Sequence, residues 1–242
     1  MSTPAFGARG AVASALTAAA GWLVEPADPV EGSSYGCQIP AERVVVAVVG
    51  LAPGCGATAV ARGLGAELAA RDEDGACVVT TAKAGGVVAL GLPAAGRLTR
   101  SLAGVPGVAA RACGRLCLAE CCDSAALAGA VLYEAPLVLD VASPQEAWVA
   151  AALADSVILV AAPRVEPALA AVVADSLSRG AGAPLVVLNR VAVGEDHRWS
   201  GRAGFELPES RMGAQLALAG REPRGELGRA IARLADALAG AR

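Results

Sequence analysis

The sequence predicts a doubly wound α/β fold, a mostly parallel sheet with helices on both faces. Three observations carry this expectation. Six short, nearly unbroken apolar runs rich in β-branched residues alternate with Ala- and Leu-rich stretches of helical length. Runs of this kind are buried on both sides, as parallel strands beneath crossover helices are. Hydrophobic residues make up 55% of the chain but aromatics only 3%, so the core must be built from Ala, Val and Leu. The first run passes through a glycine-rich turn directly into a helix, the opening of a strand–loop–helix unit.

The 242 residues suffice for one large domain with a short appendage. Residues 1–40 read as an N-terminal arm: an Ala-rich helical stretch over 1–24, then a Pro/Gly/Ser-rich linker, "EPADPVEGSSYGCQIP", over 25–40. Residues 41–242 form the α/β domain. Its strands are expected at "RVVVAVV" (43–49), "ACVVTT" (76–81), "GRLCLAE" (114–120), "APLVLDV" (135–141), "DSVILVA" (155–161) and "APLVVLN" (183–189). Helices are expected over 58–71, 124–133, 144–154, 167–179 and 225–239. In such folds ligands sit beyond the carboxyl ends of the strands. The segments to inspect are therefore "GLAPGCGAT", "TTAKAGG", "AECCD", "DVASP", "APRVEP" and "NRVAVG".

Composition excludes several classes. The net charge of −3 carries no nucleic-acid signal. No apolar run reaches the roughly 18 residues that a transmembrane segment needs. The apolar stretch near the start lacks a basic leader and a clear cleavage site, which argues against a secretory signal. The seven cysteines are Cys37, Cys55, Cys77, Cys113, Cys117, Cys121 and Cys122; an odd number, several of them inside apolar runs, suggests reduced thiols and a cytoplasmic location. The only histidine, His197, lies in a polar loop beside Trp199 and suggests no catalytic dyad.

The turn "GLAPGCGATA" has the layout of a phosphate-holding loop. Gly50, Gly54 and Gly56 permit positive φ and a close approach of backbone to ligand. Thr58 opens the helix, whose N-terminal N–H groups favour an anion and whose hydroxyl would take a magnesium ion. Two features oppose this. Ala57 stands where a lysine would neutralise the outer phosphates, and Pro53 has no N–H to donate.

The order of segments from about Val44 to Ala239 resembles the MinD/ParA-type P-loop ATPases, including the pilus-assembly CpaE-like members. The family loop reads lysine-glycine-glycine-x-glycine-lysine-threonine; the matching positions here are Ala52, Pro53, Gly54, Cys55, Gly56, Ala57 and Thr58. "LVLDVASP" is similar to the Walker B strand with Asp140 as its acid, and "VVLNRV" to the strand whose asparagine, here Asn189, reads adenine. "ELPESRMGAQLALAGREPRGELGRAIARLADAL" resembles the closing proline loop and last helix. The resemblance implies a P-loop NTPase-like fold and a site for ATP or ADP with magnesium. Its contacts would be Gly54, Cys55, Gly56, Ala57, Thr58, Ala59, Asp140 and Asn189, with Thr58 and Asp140 as metal ligands. It also implies a protein partner, with a homodimer among the assemblies to expect.

The departures fall on the chemistry. Both family lysines are absent, at Ala52 and Ala57. Thr81 and Lys83, in "TTAKAGG", stand where the family carries an aspartate pair. The expected function is therefore a non-hydrolysing scaffold or positioning factor with a degenerate nucleotide site and no catalytic residue. The alternatives are a nucleotide-switched ATPase with an unusual loop, its charge supplied by Lys83, and a cysteine-dependent metal or redox protein. Asp140 reads equally as a ligand and as a tie that holds the loop. Lys83, the sole lysine, reads first as an exposed loop residue. Cys113, Cys117, Cys121 and Cys122 read first as small buried hydrophobes. On one strand Cys113 and Cys117 would share a face about 13 Å apart, too far for one zinc ion.

Overall fold

The structure, a computed structural model, describes residues 44–81, 108–121, 135–141, 143–178, 183–192, 197–199 and 201–240. The N-terminal arm and linker, Lys83, Cys122 and the helix expected over 124–133 lie outside them. In chain order the elements are β1 (Val45–Gly50), α1 (Ala57–Arg71), β2 (Ala76–Thr81), β3 (Val108–Cys113), β4 (Leu116–Cys121), β5 (Leu137–Val141), α2 (Pro144–Leu153), β6 (Ser156–Ala161), α3 (Pro167–Leu177), β7 (Leu185–Val191), β8 (Phe205–Pro208), α4 (Arg211–Leu218) and α5 (Gly225–Gly240).

The eight strands form one sheet in the order β3-β4-β2-β5-β1-β6-β7-β8. Only the β3–β4 pair is antiparallel; every other neighbour is parallel. The six expected runs are the six inner strands, β4 to β7 in spatial order. Their apolar continuity has the anticipated cause: Val45 to Val49 of β1 are fully enclosed, and every residue of β2 and β5 is buried. Helix α1 packs on β1, β2 and β5 together with α4 and α5, while α2 covers β1 and β5 beside α3.

Three elements were not anticipated. β3 and β8 are edge strands, and β3 carries a half-exposed, polar-interrupted sequence, "VAARAC". β8 has four residues, too few for a periodic signal. α4 contains Gly213, a poor helix former. It is held instead by Ser210, whose Oγ accepts from Gly213 N at 3.0 Å as an N-cap. The sequence reading also joined Cys113 to the strand of Cys117. A turn at Gly114, with φ 64°, separates them into β3 and β4. Cys113 pairs with Leu116 and Cys117 with Ala112, so the two thiols lie on opposite faces of the sheet, not on one.

Helix α1 approaches the sheet closely because Gly65 faces it. A Cβ built there would run into Val78 of β2. The glycine lowers helix propensity, and the close packing offsets that cost.

Candidate functional site

The site forms where β1 stops. Leu51 N donates to Val160 O of β6 at 3.0 Å, which fixes the start of the loop. Gly54 and Gly56 then adopt left-handed backbone, φ 74° and 88°, and Gly56 is the N-cap of α1. Side chains other than glycine disfavour both positions, and this conformation turns the chain from strand into helix with the N-terminal N–H groups facing outward. Val60 N returns to Gly56 O at 3.0 Å, closing the first helical turn. The glycine signal in the sequence therefore marks a genuine loop-to-helix turn.

Cys55 points away from any ligand. It is 2% exposed and belongs to the hydrophobic core, with Sγ 3.1 Å from where a Cβ on Gly50 would lie. Burial raises its thiol pKa, against N–H groups of the loop that pull it down. Only its backbone faces the site. Its carbonyl accepts from Asn189 Nδ2 at 2.9 Å, and that amide also lies against Gly56. Asn189, expected to read a base, thus ties the end of β7 to the loop. Ala57 packs its methyl back against Gly50 and offers no charge; Ala59 follows Thr58 in the same helical turn.

Asp140 lies at the end of β5, paired in register with Thr80 of β2. It is 1% exposed. Burial raises its carboxyl to about 6, opposed by hydrogen bonds from Thr58 and Thr80 and by the charge of Arg62. Oδ2 accepts from Thr80 Oγ1 at 3.2 Å, while Oδ1 is buried with no hydrogen-bond partner among the described residues. Thr58 therefore stands beside Asp140, as a pair of metal ligands would. Arg62, one helical turn further along α1, is buried and donates from Nη1 to Leu218 O at 2.8 Å.

Four residues escaped the sequence reading. Glu146, in the first turn of α2, accepts from Thr81 Oγ1 at 3.0 Å, so a carboxylate does reach the end of β2, carried by a helix. Arg164, after β6, donates from Nη2 to Pro53 O at 3.3 Å. Arg190 brings its Nε to 3.7 Å from where a Cβ on Gly56 would lie. Thr80 holds Asp140. The only signal for the arginines was their position just past two strands, in "APRVEP" and "NRVAVG".

The remaining candidates are structural. Cys77 and Cys117 lie side by side on β2 and β4 and share a hydrogen bond; burial first, then that contact, pushes the Cys77 thiol well up. Among the described residues no group of three or more His, Cys, Asp or Glu side chains is placed to hold a metal ion. His197 sits 3.6 Å from Glu206, and Trp199 donates to Val165 O at 2.9 Å from the core.

The site fits a magnesium nucleotide in part. The orphaned Asp140 oxygen and the Thr58 hydroxyl suit a hard cation, and the glycine turn with the α1 N-terminus suits phosphate. Ala57 does not supply the usual countercharge.

No family model and no curated protein matches the sequence. Solved structures do. The cell division ATPase MinD of Pyrococcus furiosus superposes with a TM-score of 0.59 at 17% identity, covering 82% of this chain and 99% of its own. A ParA family ATPase of Chlorobium tepidum gives 0.57 at 13%, covering 80% and 98%. A putative plasmid partition protein of Borrelia burgdorferi, solved with AMPPNP, gives 0.57 at 11%, covering 83% and 99%. With the parallel sheet, the glycine turn and Asp140 at one edge, these similarities establish that the chain has the fold of the MinD/ParA-type P-loop ATPases.

Proposed function

We propose that this protein is a non-hydrolysing member of that structural group, a scaffold or positioning factor that acts by engaging a protein partner. The observation that carries the reading is the chemistry at the strand ends. The loop keeps its shape, but Ala57 offers no charge to the outer phosphates. At the end of β2 the position matching the expected carboxylate is Thr81, buried and bonded to Glu146. Phosphoryl transfer depends on positioned charge and an oriented water, and neither is supplied here by the groups that supply it in the resemblance. Thr58 and Asp140 would hold a magnesium ion, Gly54 to Thr58 the phosphates and Asn189 the base. Binding of ATP or ADP is expected to be weak.

A protein partner is supported by the similarity to MinD of Aquifex aeolicus in a MinC:MinD complex, at a TM-score of 0.53 and 17% identity. A homodimer and docking through the N-terminal arm belong to the same proposal. A cytoplasmic location is supported by the described cysteines Cys55, Cys77, Cys113, Cys117 and Cys121, none of which is in a disulfide. Among the described residues no helix is long and apolar enough to cross a membrane. A nucleotide-switched ATPase is the second reading, favoured by the orphaned Asp140 oxygen beside Thr58.

ATP turnover separates the two. The unmodified protein is expected to hydrolyse ATP no faster than the double variant Thr58→Ala with Asp140→Ala. Turnover that the double variant loses would overturn the non-hydrolysing reading.

A further inference from the structure

The two sides of the loop differ in charge. β5 flanks β1 on one side and β6, then β7, on the other. From the β5 side comes Asp140, 1% exposed, with Oδ1 unpartnered beside Thr58. From the other side come two guanidinium groups. Arg164 Nη2 is 3.1 Å from where a Cβ on Gly54 would lie, and Arg190 Nε is 3.7 Å from the same point on Gly56. These glycines are the two left-handed residues that shape the loop.

Arg190 is held there by an irregular backbone. The β7–β8 register shifts between Asn189 and Val191, so Arg190 is the extra residue of a bulge. Its φ of 65° is the only positive value outside glycine among the described residues. Bulges of this kind re-aim a side chain. Here the bulge directs the side chain to the loop rather than along the strand.

Neither arginine forms an ion pair among the described residues. Glu166, two positions beyond Arg164, is engaged by Arg198 at 2.6 Å. Arg164 uses one N–H on Pro53 O, leaving the rest of its five donors for a ligand. A buried unpartnered carboxylate oxygen favours a cation, and two guanidiniums favour an anion. A polyphosphate with a divalent ion satisfies both sides at once.

We propose that Arg164 and Arg190 supply, from the neighbouring strands, the positive charge that Ala52 and Ala57 do not, so that the loop binds a magnesium-bound di- or triphosphate. The assignment rests on the reading above, in which the site binds without hydrolysing. It concerns which residues bind, not whether turnover follows.

Calorimetry with magnesium pyrophosphate and with magnesium ADP tests it. Wild type is compared with Arg164→Gln, Arg190→Gln and Arg190→Lys, each checked by thermal melting. Each Gln variant should weaken pyrophosphate binding roughly tenfold, the loss of one charged hydrogen bond, and Arg190→Lys should recover part of it. Pyrophosphate and ADP responding alike places the arginines on the phosphates; an effect on ADP alone overturns the assignment by placing them on the nucleoside. Unchanged affinity in both Gln variants, or no binding of either probe to wild type, also overturns it. Hydrolysis of ATP above the double-variant background would instead defeat the non-hydrolysing reading and leave the arginine assignment standing.

Discussion

Thr81 donates its hydroxyl to Glu146 at 3.0 Å, joining the end of β2 to the first turn of α2. Both side chains are buried, so each satisfies a group that water does not reach. Glu146→Ala leaves the hydroxyl without this acceptor and should cost about 1–3 kcal/mol of stability. Adding Thr81→Val to that variant should recover part of the loss, because the pair is then removed together. Urea midpoints measure both. An unchanged midpoint for Glu146→Ala would contradict the buried pair.

The Asp140 carboxyl makes stability depend on pH. Burial lifts it from 3.8 to about 6, despite Thr58, Thr80 and Arg62 acting in the opposite direction. The folded state therefore holds this proton more tightly than the unfolded chain. The group disfavours folding above its folded pKa, and that penalty fades as the pH falls toward the unfolded value. Its size at neutral pH is roughly 3 kcal/mol. Asp140→Asn should be more stable than wild type near pH 7.5, with the difference shrinking toward about pH 4. Denaturation at the two pH values checks the sign; a variant less stable at the higher pH would show that the charged form is favoured in the fold.

Packing of α1 on β2 gives a third expectation. Gly65→Ala forces a methyl into Val78 and should destabilise by about 1–3 kcal/mol, the usual range for overpacking. Val78→Ala in the same chain should relieve part of that cost, so the double variant should be more stable than the sum of the single effects implies. Strict additivity would show that the two sites do not touch.

Restoring the lysine tests the loop itself. Ala57 follows the left-handed Gly56 at the first position of α1. Ala57→Lys should tighten ATP more than ADP, by roughly 1.5–3 kcal/mol for a new charged hydrogen bond to the outer phosphates. Calorimetry that shows no gain would mean that the turn does not present its mouth to a triphosphate.

Much of the frame was legible because it depends on local pattern. Six inner strands are nearly uniform in apolar character, and burial on both faces leaves that mark on each residue. The loop was legible because its glycines lie within seven residues of one another, Gly50 to Gly56, and their conformations are local. β3 and β8 were not, since edge strands carry little of that mark. The face assignment of Cys113 failed at Gly114, where one glycine reverses the chain without breaking the apolar run. Glu146, Arg164 and Arg190 were hidden for a different reason. Their roles follow from β6 lying beside β1 with β7 next to it, and from α2 starting just after β5, the neighbour of β2, and strand order is not written in any single segment.

The bond from Asn189 to the Cys55 carbonyl spans 134 residues of chain. The glycine turn and the start of α1 can form as soon as their own residues are available, because their hydrogen bonds are short in sequence. The final shape of the loop cannot. It waits until β6 has joined β1 and β7 has joined β6, one of the longest closures in the molecule and among the slowest kinds of contact to establish. A chain still emerging from the ribosome therefore carries an open loop until β7 has been made.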